Sequence, residues 1–157
     1  MRSLLICTLL FSLSLTGCAG NALLRGVNRD GQKVYLGPVP VENTEAFQTY
    51  LHSERTDVDQ QRYLFQRLKD ATDLEFLHDG NWYNGLQAYR GGMWLMRNRY
   101  EKGQDARQFI RRNVAFSDQG KPHVVKYPDG SLQDGASVLI NELDLLEESA
   151  SKITSTP

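Results

Sequence analysis

Residues 74–100 read LEFLHDGNWYNGLQAYRGGMWLMRNRY, and this stretch decides the fold class. Asp79-Gly80 stands between two short β-prone runs, LEFLH and NWY. Asp-Gly predicts a tight hairpin there, because both residues tolerate positive φ. Asn84 follows, with Gln87 three positions later, the spacing of a capping box. Beyond it Leu86, Tyr89, Met93, Met96 and Tyr100 recur at spacings of three and four, with Trp94 beside them, which predicts an amphipathic helix. Gly91-Gly92 falls inside that helix, where each glycine costs about 1 kcal/mol against alanine. A close backbone contact is the preferred explanation over a kink. A hairpin feeding straight into a helix points to an α+β fold.

The pattern extends outward. Asp30-Gly31, flanked by LLRGVNR and QKVYLG, and Asp129-Gly130, flanked by HVVKYP and SLQ, predict two more hairpins. Pro38 and Pro40 break the chain, after which Asn43 or Thr44 can cap a helix carrying Phe47, Tyr50, Leu51 and Val58. Asp57 can recap a second stretch with Tyr63, Leu64, Phe65, Leu68 and Ala71, so 44–74 is one helix or two. Asp105 can cap a short helix with Ala106, Phe109, Ile110 and Val114. Asp134 can cap the last helix, whose inner face is Val138, Leu139, Glu142 or Leu143, and Leu146. The expectation is a mainly helical α+β fold of four to five helices, with short β-hairpins at the Asp-Gly turns.

The 157 residues suit one globular domain, and a net charge of −1 gives no global case for nucleic-acid binding or a polybasic membrane surface. The N-terminus is different in kind. Arg2 precedes the apolar to weakly polar run Ser3 to Leu15, too short to span a bilayer, which needs about 20 residues. It has the length of a signal-peptide core. Leu15-Thr16-Gly17-Cys18 then resembles the lipobox of bacterial lipoproteins. The resemblance implies removal of residues 1–17 and attachment to a membrane through S-diacylglycerol and an N-acyl group on Cys18. Cys7 lies in the removed part, so Cys18 is left with no disulfide partner, and acylation disposes of a free thiol. Several acyl chains, each worth about 0.8 kcal/mol per buried CH₂, anchor a protein firmly. Ala19 stands where inner-membrane lipoproteins of enteric bacteria usually carry aspartate, which implies the outer membrane, facing the periplasm. Residues 18–43 are then the lipidated N-terminus and a spacer of up to about 80 Å if fully extended, shortened by the first hairpin. Residues 44–150 form the globular domain and 151–157 a flexible tail.

A second resemblance starts near residue 62. The run Phe76-Leu77-His78-Asp79-Gly80-Asn81-Trp82-Tyr83 is followed by Ala88, Arg99-Tyr100, Phe109-Ile110 and Ser117-Asp118-Gln119-Gly120-Lys121-Pro122-His123. This order is similar to a family of uncharacterised bacterial envelope proteins, classed as a domain of unknown function. The family's Arg-Asn is His78-Asp79 here, its His-Leu helix pair is Gly91-Gly92, and the tyrosine after Lys-Pro is His123. The resemblance implies an exported α+β domain and carries over no activity.

Candidate chemistry is sparse. His52, His78 and His123 show no metal-ligand spacing, and no cofactor motif is present. His78 and His123 both adjoin hairpins and, with Asp79, can form an acid–base cluster if the fold joins them; otherwise they are turn residues. No Gly-x-Ser-x-Gly elbow supports a hydrolase triad. Residues 90–112 hold seven basic side chains, among them Arg97, Arg99, Arg107, Arg111 and Arg112, against two acidic ones. They are a candidate site for anionic lipid or polysaccharide, but five acidic residues in 134–148 invite internal pairing instead. Trp82, Tyr83 and Trp94 are candidates for the core or, less favoured, for a ligand groove. The function expected first is a membrane-anchored accessory role in the periplasm, with an envelope protein or polysaccharide as partner. An envelope enzyme using His78, Asp79 and His123 and an anion binder using the Arg90–Arg112 patch are the alternatives.

Overall fold

A computed structural model describes residues 22–37 and 39–154. Cys18 and the leader therefore lie outside the described residues. The chain forms the expected mainly helical α+β fold. Its elements run β1 (Leu23–Leu24), a short 3₁₀ turn (Val41–Asn43), α1 (Glu45–Leu51), α2 (Asp57–Asp70), β2 (Glu75–His78), β3 (Asn81–Asn84), α3 (Gly85–Arg99), α4 (Ala106–Asn113), β4 (Val124–Lys126), β5 (Leu132–Asp134) and α5 (Gly135–Thr154).

Local chemistry sets most boundaries. Thr44 caps α1 by accepting from Phe47 N, and Thr56 caps α2 in a reciprocal box with Asp59. The region 44–74 is thus two helices. Asn84 and Gln87 form the capping box that starts α3, and Asp105 caps α4. Asp79 and Gly80 both have positive φ, +48° and +88°, which a two-residue hairpin turn demands.

Five strands form one sheet in the order β1-β5-β4-β2-β3. The hairpins at Asp79-Gly80 and Asp129-Gly130 are present. The first is minimal: at Asp30-Gly31 the chain reverses in one antiparallel bridge, Val27 to Lys33, flanked by the bonds Val34 N to Gly26 O and Asn28 N to Gln32 O, without extended strands. Leu23 and Leu24 pair instead in parallel with Leu132 and Gln133 of β5. The side chains of Gln133 and Asn141 explain this. Gln133 accepts from Gly26 N at 3.0 Å and donates to Val27 O at 3.0 Å, while Asn141 donates to Gly26 O and Val34 O. The stretch expected to be a spacer is therefore bound to the domain from Leu23 onward.

Helix α2 packs against each of the other four α-helices and builds the core with Tyr63, Leu64, Phe65 and Leu68. Helix α3 meets it at Gly85 and Gly92. A Cβ on Gly92 would overlap the Phe65 ring, and one on Gly85 would overlap the Leu68 carbonyl. The close contact expected for the glycine pair is real at Gly92. Gly91 has nothing within 4 Å of the position its Cβ would take.

A buried ion pair sits inside this core. Arg67 Nε donates to Glu142 Oε1 at 2.6 Å, and both side chains are fully inaccessible. Tyr63 donates its hydroxyl to the same oxygen at 2.8 Å, and Leu36 N donates to Oε2 at 2.9 Å. Burial first, then the Glu142 charge, raises the Tyr63 pKa. Glu142 thus joins α2, α5 and the N-terminal strap. Helix α5 runs to Thr154, into the stretch expected to be a flexible tail. Among the described residues no helix is long and apolar enough to cross a membrane.

Candidate functional site

The sheet register brings His78 and His123 together. In the antiparallel pair β2–β4, Leu77 faces Val124, so the next rung sets His78 at the end of β2 opposite His123 just before β4. Their nitrogens, His78 Nδ1 and His123 Nε2, are 2.5 Å apart. The ring centroids are 4.8 Å apart at an interplanar angle of 21°. With those nitrogens so close, that separation places the rings edge to edge, so the contact is an in-plane hydrogen bond.

The partners fix the proton positions. His123 Nδ1 lies 2.6 Å from the Val114 carbonyl, which can only accept, so Nδ1 carries a hydrogen. In the neutral ring Nε2 is then an acceptor and His78 Nδ1 donates to it. Burial, as the largest influence, lowers the His123 pKa, which agrees with a neutral ring. The other edge of His78 faces Asp79, with Nε2 3.4 Å from Oδ2. Asp79 Oδ1 accepts from the Ser117 hydroxyl at 2.5 Å. Ser117 Oγ in turn accepts from Gln119 N and Lys121 N in its own turn. Its neighbour Asp118 takes two hydrogen bonds from Arg99 Nη2, at 3.0 and 2.8 Å. Arg99, Asp118, Ser117, Asp79, His78 and His123 thus form one continuous polar cluster.

This cluster can hold and pass a proton but offers no activated nucleophile. The Ser117 hydrogen is committed to a carboxylate, not to an imidazole. Nor do three metal donors converge, because Asp79 lies on the edge of His78 opposite to His123. Among the described residues no group of three or more His, Cys, Asp or Glu can hold a metal ion.

The cluster borders a cavity of about 440 Å³ between α3, β2, β4 and the 113–118 segment. Its walls are mainly apolar: Leu36, Phe65, Leu68, Phe76, Leu95 and Leu139 line it, several of them core residues. His78, His123, Ser117, Asp118 and Arg99 also line it, as does Gly91. Two large aromatic rings at its edge are exposed, Trp94 at 55% and Phe116 at 59%. The Arg99 guanidinium lies over the Trp94 ring, 5.8 Å from its centroid. The tryptophans were expected in the core; Trp82, at 43%, is exposed as well and lies under Lys126. For Trp94 the reason is the packing of α3, which turns Gly85 and Gly92, not the indole, toward α2.

The basic residues divide. Arg107 binds Asp144 and Glu147 of α5, so part of the expected internal pairing exists. Arg112 pairs with Glu101, and Arg99 with Asp118, both outside α5. Arg97 and Arg111 make no ion pair with the described residues. The five cations do not converge on one site. His52, the third histidine, hydrogen-bonds the Gln48 carbonyl within its own helix region, away from the other two. Sequence reasoning missed Ser117, Asp118 and the open face of Gly91.

No family model matches the chain, and no curated protein or solved structure is significantly similar to it.

Proposed function

We propose that this chain is a membrane-tethered ligand-binding protein of a bacterial envelope. Acyl groups on Cys18 hold it to the bilayer, at the outer membrane and facing the periplasm, and the domain receives a small apolar envelope component. The lipobox and Ala19 support the tether and its address. The observation that carries the binding role is the apolar cavity with one polar cluster on its border, the usual form of a small-molecule site. The partner is thereby narrowed from an envelope protein or polysaccharide to a molecule that fits inside the domain. The test is titration with the apolar fluorophore N-phenyl-1-naphthylamine. Saturable binding of one probe per chain, quenched or shifted together with Trp94 emission, is expected; linear, non-saturating fluorescence counts against a built site.

One observation favours a second reading, an acid–base enzyme of the envelope: His78 and His123 share a hydrogen bond beside the cavity. Incubation with an envelope extract and mass spectrometry separates the two. An extract component consumed by the wild type and spared by His123→Gln supports turnover. The ion pairs of Arg107 and Arg112 weigh against the third reading, an anion-binding basic patch.

A further inference from the structure

The arrangement of polar and apolar groups around the cavity narrows the ligand further. Core side chains from α2, α5 and the strap reach its wall, so the interior offers no hydrogen-bonding side chain among Leu36, Phe65, Leu68 and Leu139. Tyr83, Gln87 and Asn113 also line the cavity, but the charged and imidazole side chains of the border are gathered in one place. They form the connected cluster from Arg99 to His123, through the pairs Arg99–Asp118, Ser117–Asp79 and His78–His123. A ligand matching both parts is amphipathic, with one apolar end and one polar end.

The charges on the cluster describe the polar end. It presents to the cavity one guanidinium, Arg99, and one carboxylate, Asp118, beside the His78 and His123 imidazoles, while Asp79 contacts His78 without lining the cavity. Both signs are exposed: the Asp118 side chain is 77% accessible and Arg99 33%. A purely anionic head would meet the Asp118 carboxylate, and a purely cationic head would meet the guanidinium. A head bearing both signs satisfies the site, its anion toward Arg99 and its cation toward Asp118.

Helix α3 forms one wall of the cavity. Gly91 lines it, and a Cβ there would touch nothing within 4 Å. The adjacent Gly92 lines it too, but there a Cβ would run into the Phe65 ring. Gly92 is thus required by packing, whereas Gly91 is not, and its missing side chain leaves room at the cavity. Trp94, three residues on, lies on the same border.

We propose that the cavity binds a single-chain lipid with a zwitterionic head, its acyl chain against the α2–α3–α5 wall and its head on the Arg99–Asp118–His78 cluster, with Gly91 leaving the room for it. This rests on the ligand-binding role proposed above. A lysophosphatidylethanolamine released from a bilayer and one supplied free in solution offer the same chemistry.

The experiment is displacement of bound N-phenyl-1-naphthylamine from the full chain. Lysophosphatidylethanolamine and the free fatty acid of equal chain length are compared below their micelle-forming concentrations. The lysolipid is expected to displace the probe at a concentration at least about tenfold lower than the fatty acid. Arg99→Gln should shrink that preference. Gly91→Ala should weaken binding of both, and Gly91→Leu should abolish it while the unfolding midpoint stays at or above that of the wild type. Gly91→Ala keeps the comparison available if Gly91→Leu fails to fold. Equal displacement by the two lipids, or lysolipid binding that survives Gly91→Leu, overturns the proposal. Probe binding with no displacement by either lipid overturns it too and leaves the ligand-binding role standing; absence of probe binding removes both. Loading from vesicles containing lysophosphatidylethanolamine, compared with loading from solution, tells which source delivers it.

Discussion

His78 and His123 are 45 positions apart in the chain and meet nitrogen to nitrogen at 2.5 Å. The contact ties the Asp79-Gly80 turn to the 114–123 segment, and with it one border of the cavity. It also gives the cluster a direction. Val114 fixes the His123 tautomer, His123 accepts from His78, and Asp79 waits at the far edge of His78.

His123 makes stability depend on pH. Burial lowers the His123 pKa, so the folded chain keeps that ring neutral where the unfolded chain, near the ordinary value of about 6.5, is already taking up a proton. Below that pH the unfolded state binds more protons than the folded one. The His123 contribution is therefore complete above about pH 6.5 and is lost as pH falls toward and through the lowered folded value. Lowered carboxylates such as Asp118 and Asp144 lose their contribution only near and below about pH 4. Urea midpoints measured from pH 7.5 to 5 should fall in the wild type and change less in His123→Gln. Parallel profiles for the two proteins would contradict the assignment.

The adjacent glycines of α3 should respond oppositely to the same substitution. Gly91→Ala adds a methyl group in open space and removes a helix-interior glycine, so it should stabilise by about 1 kcal/mol. Gly92→Ala drives the methyl into Phe65 and should destabilise by about 1–3 kcal/mol. Thermal unfolding of the two variants side by side checks this. Equal signs would mean that α3 packs on a different face.

Glu142 should be indispensable to the core. Arg67→Met leaves its carboxylate buried without the guanidinium, and Glu142→Leu removes the carboxylate that Arg67 Nε donates to. Each should cost about 3–5 kcal/mol. The double variant removes both charges but still leaves Tyr63 and Leu36 N without their acceptor. It should therefore be less destabilised than the sum of the singles by about 1 kcal/mol or more. A double-mutant cycle by chemical denaturation measures the coupling; strict additivity would contradict the pairing.

Much of this fold was legible because its decisive signals are local. Asp79-Gly80, the Asn84–Gln87 box and the Asp105 cap act within four residues of themselves, and each appears where its chemistry requires. Leu23-Leu24 was not legible, because the side chains that capture this strand, Gln133 and Asn141, lie more than 100 positions away. The same holds for Arg67. It occupies a core-facing turn of α2, four residues after Tyr63, but its partner on α5 is visible only in three dimensions. At the site, His78, Asp79 and His123 were singled out by residue type. Their meeting depended on a β2–β4 pairing between hairpins that the sequence did not assign to one sheet. Gly91 and Gly92 are identical in sequence and opposite in environment, which no pattern of residue types separates.

The tether proposed at Cys18 has a geometric consequence. The domain captures the chain at Leu23, five residues after Cys18, so an acylated Cys18 lies no more than about 18 Å along the chain from the folded body. A Cys18→Ala protein, once its leader is removed, should leave the membrane fraction for the soluble one. Full retention on membranes would remove the acyl anchor from the account.

The most direct measurement is native mass spectrometry of the protein extracted from membranes in mild detergent. The account predicts a chain that begins at Cys18, carries covalent acyl groups there and holds one non-covalent single-chain lipid, which is missing from Gly91→Leu. A chain with its leader still attached or Cys18 bare, or one with no bound lipid in the wild type, would contradict it.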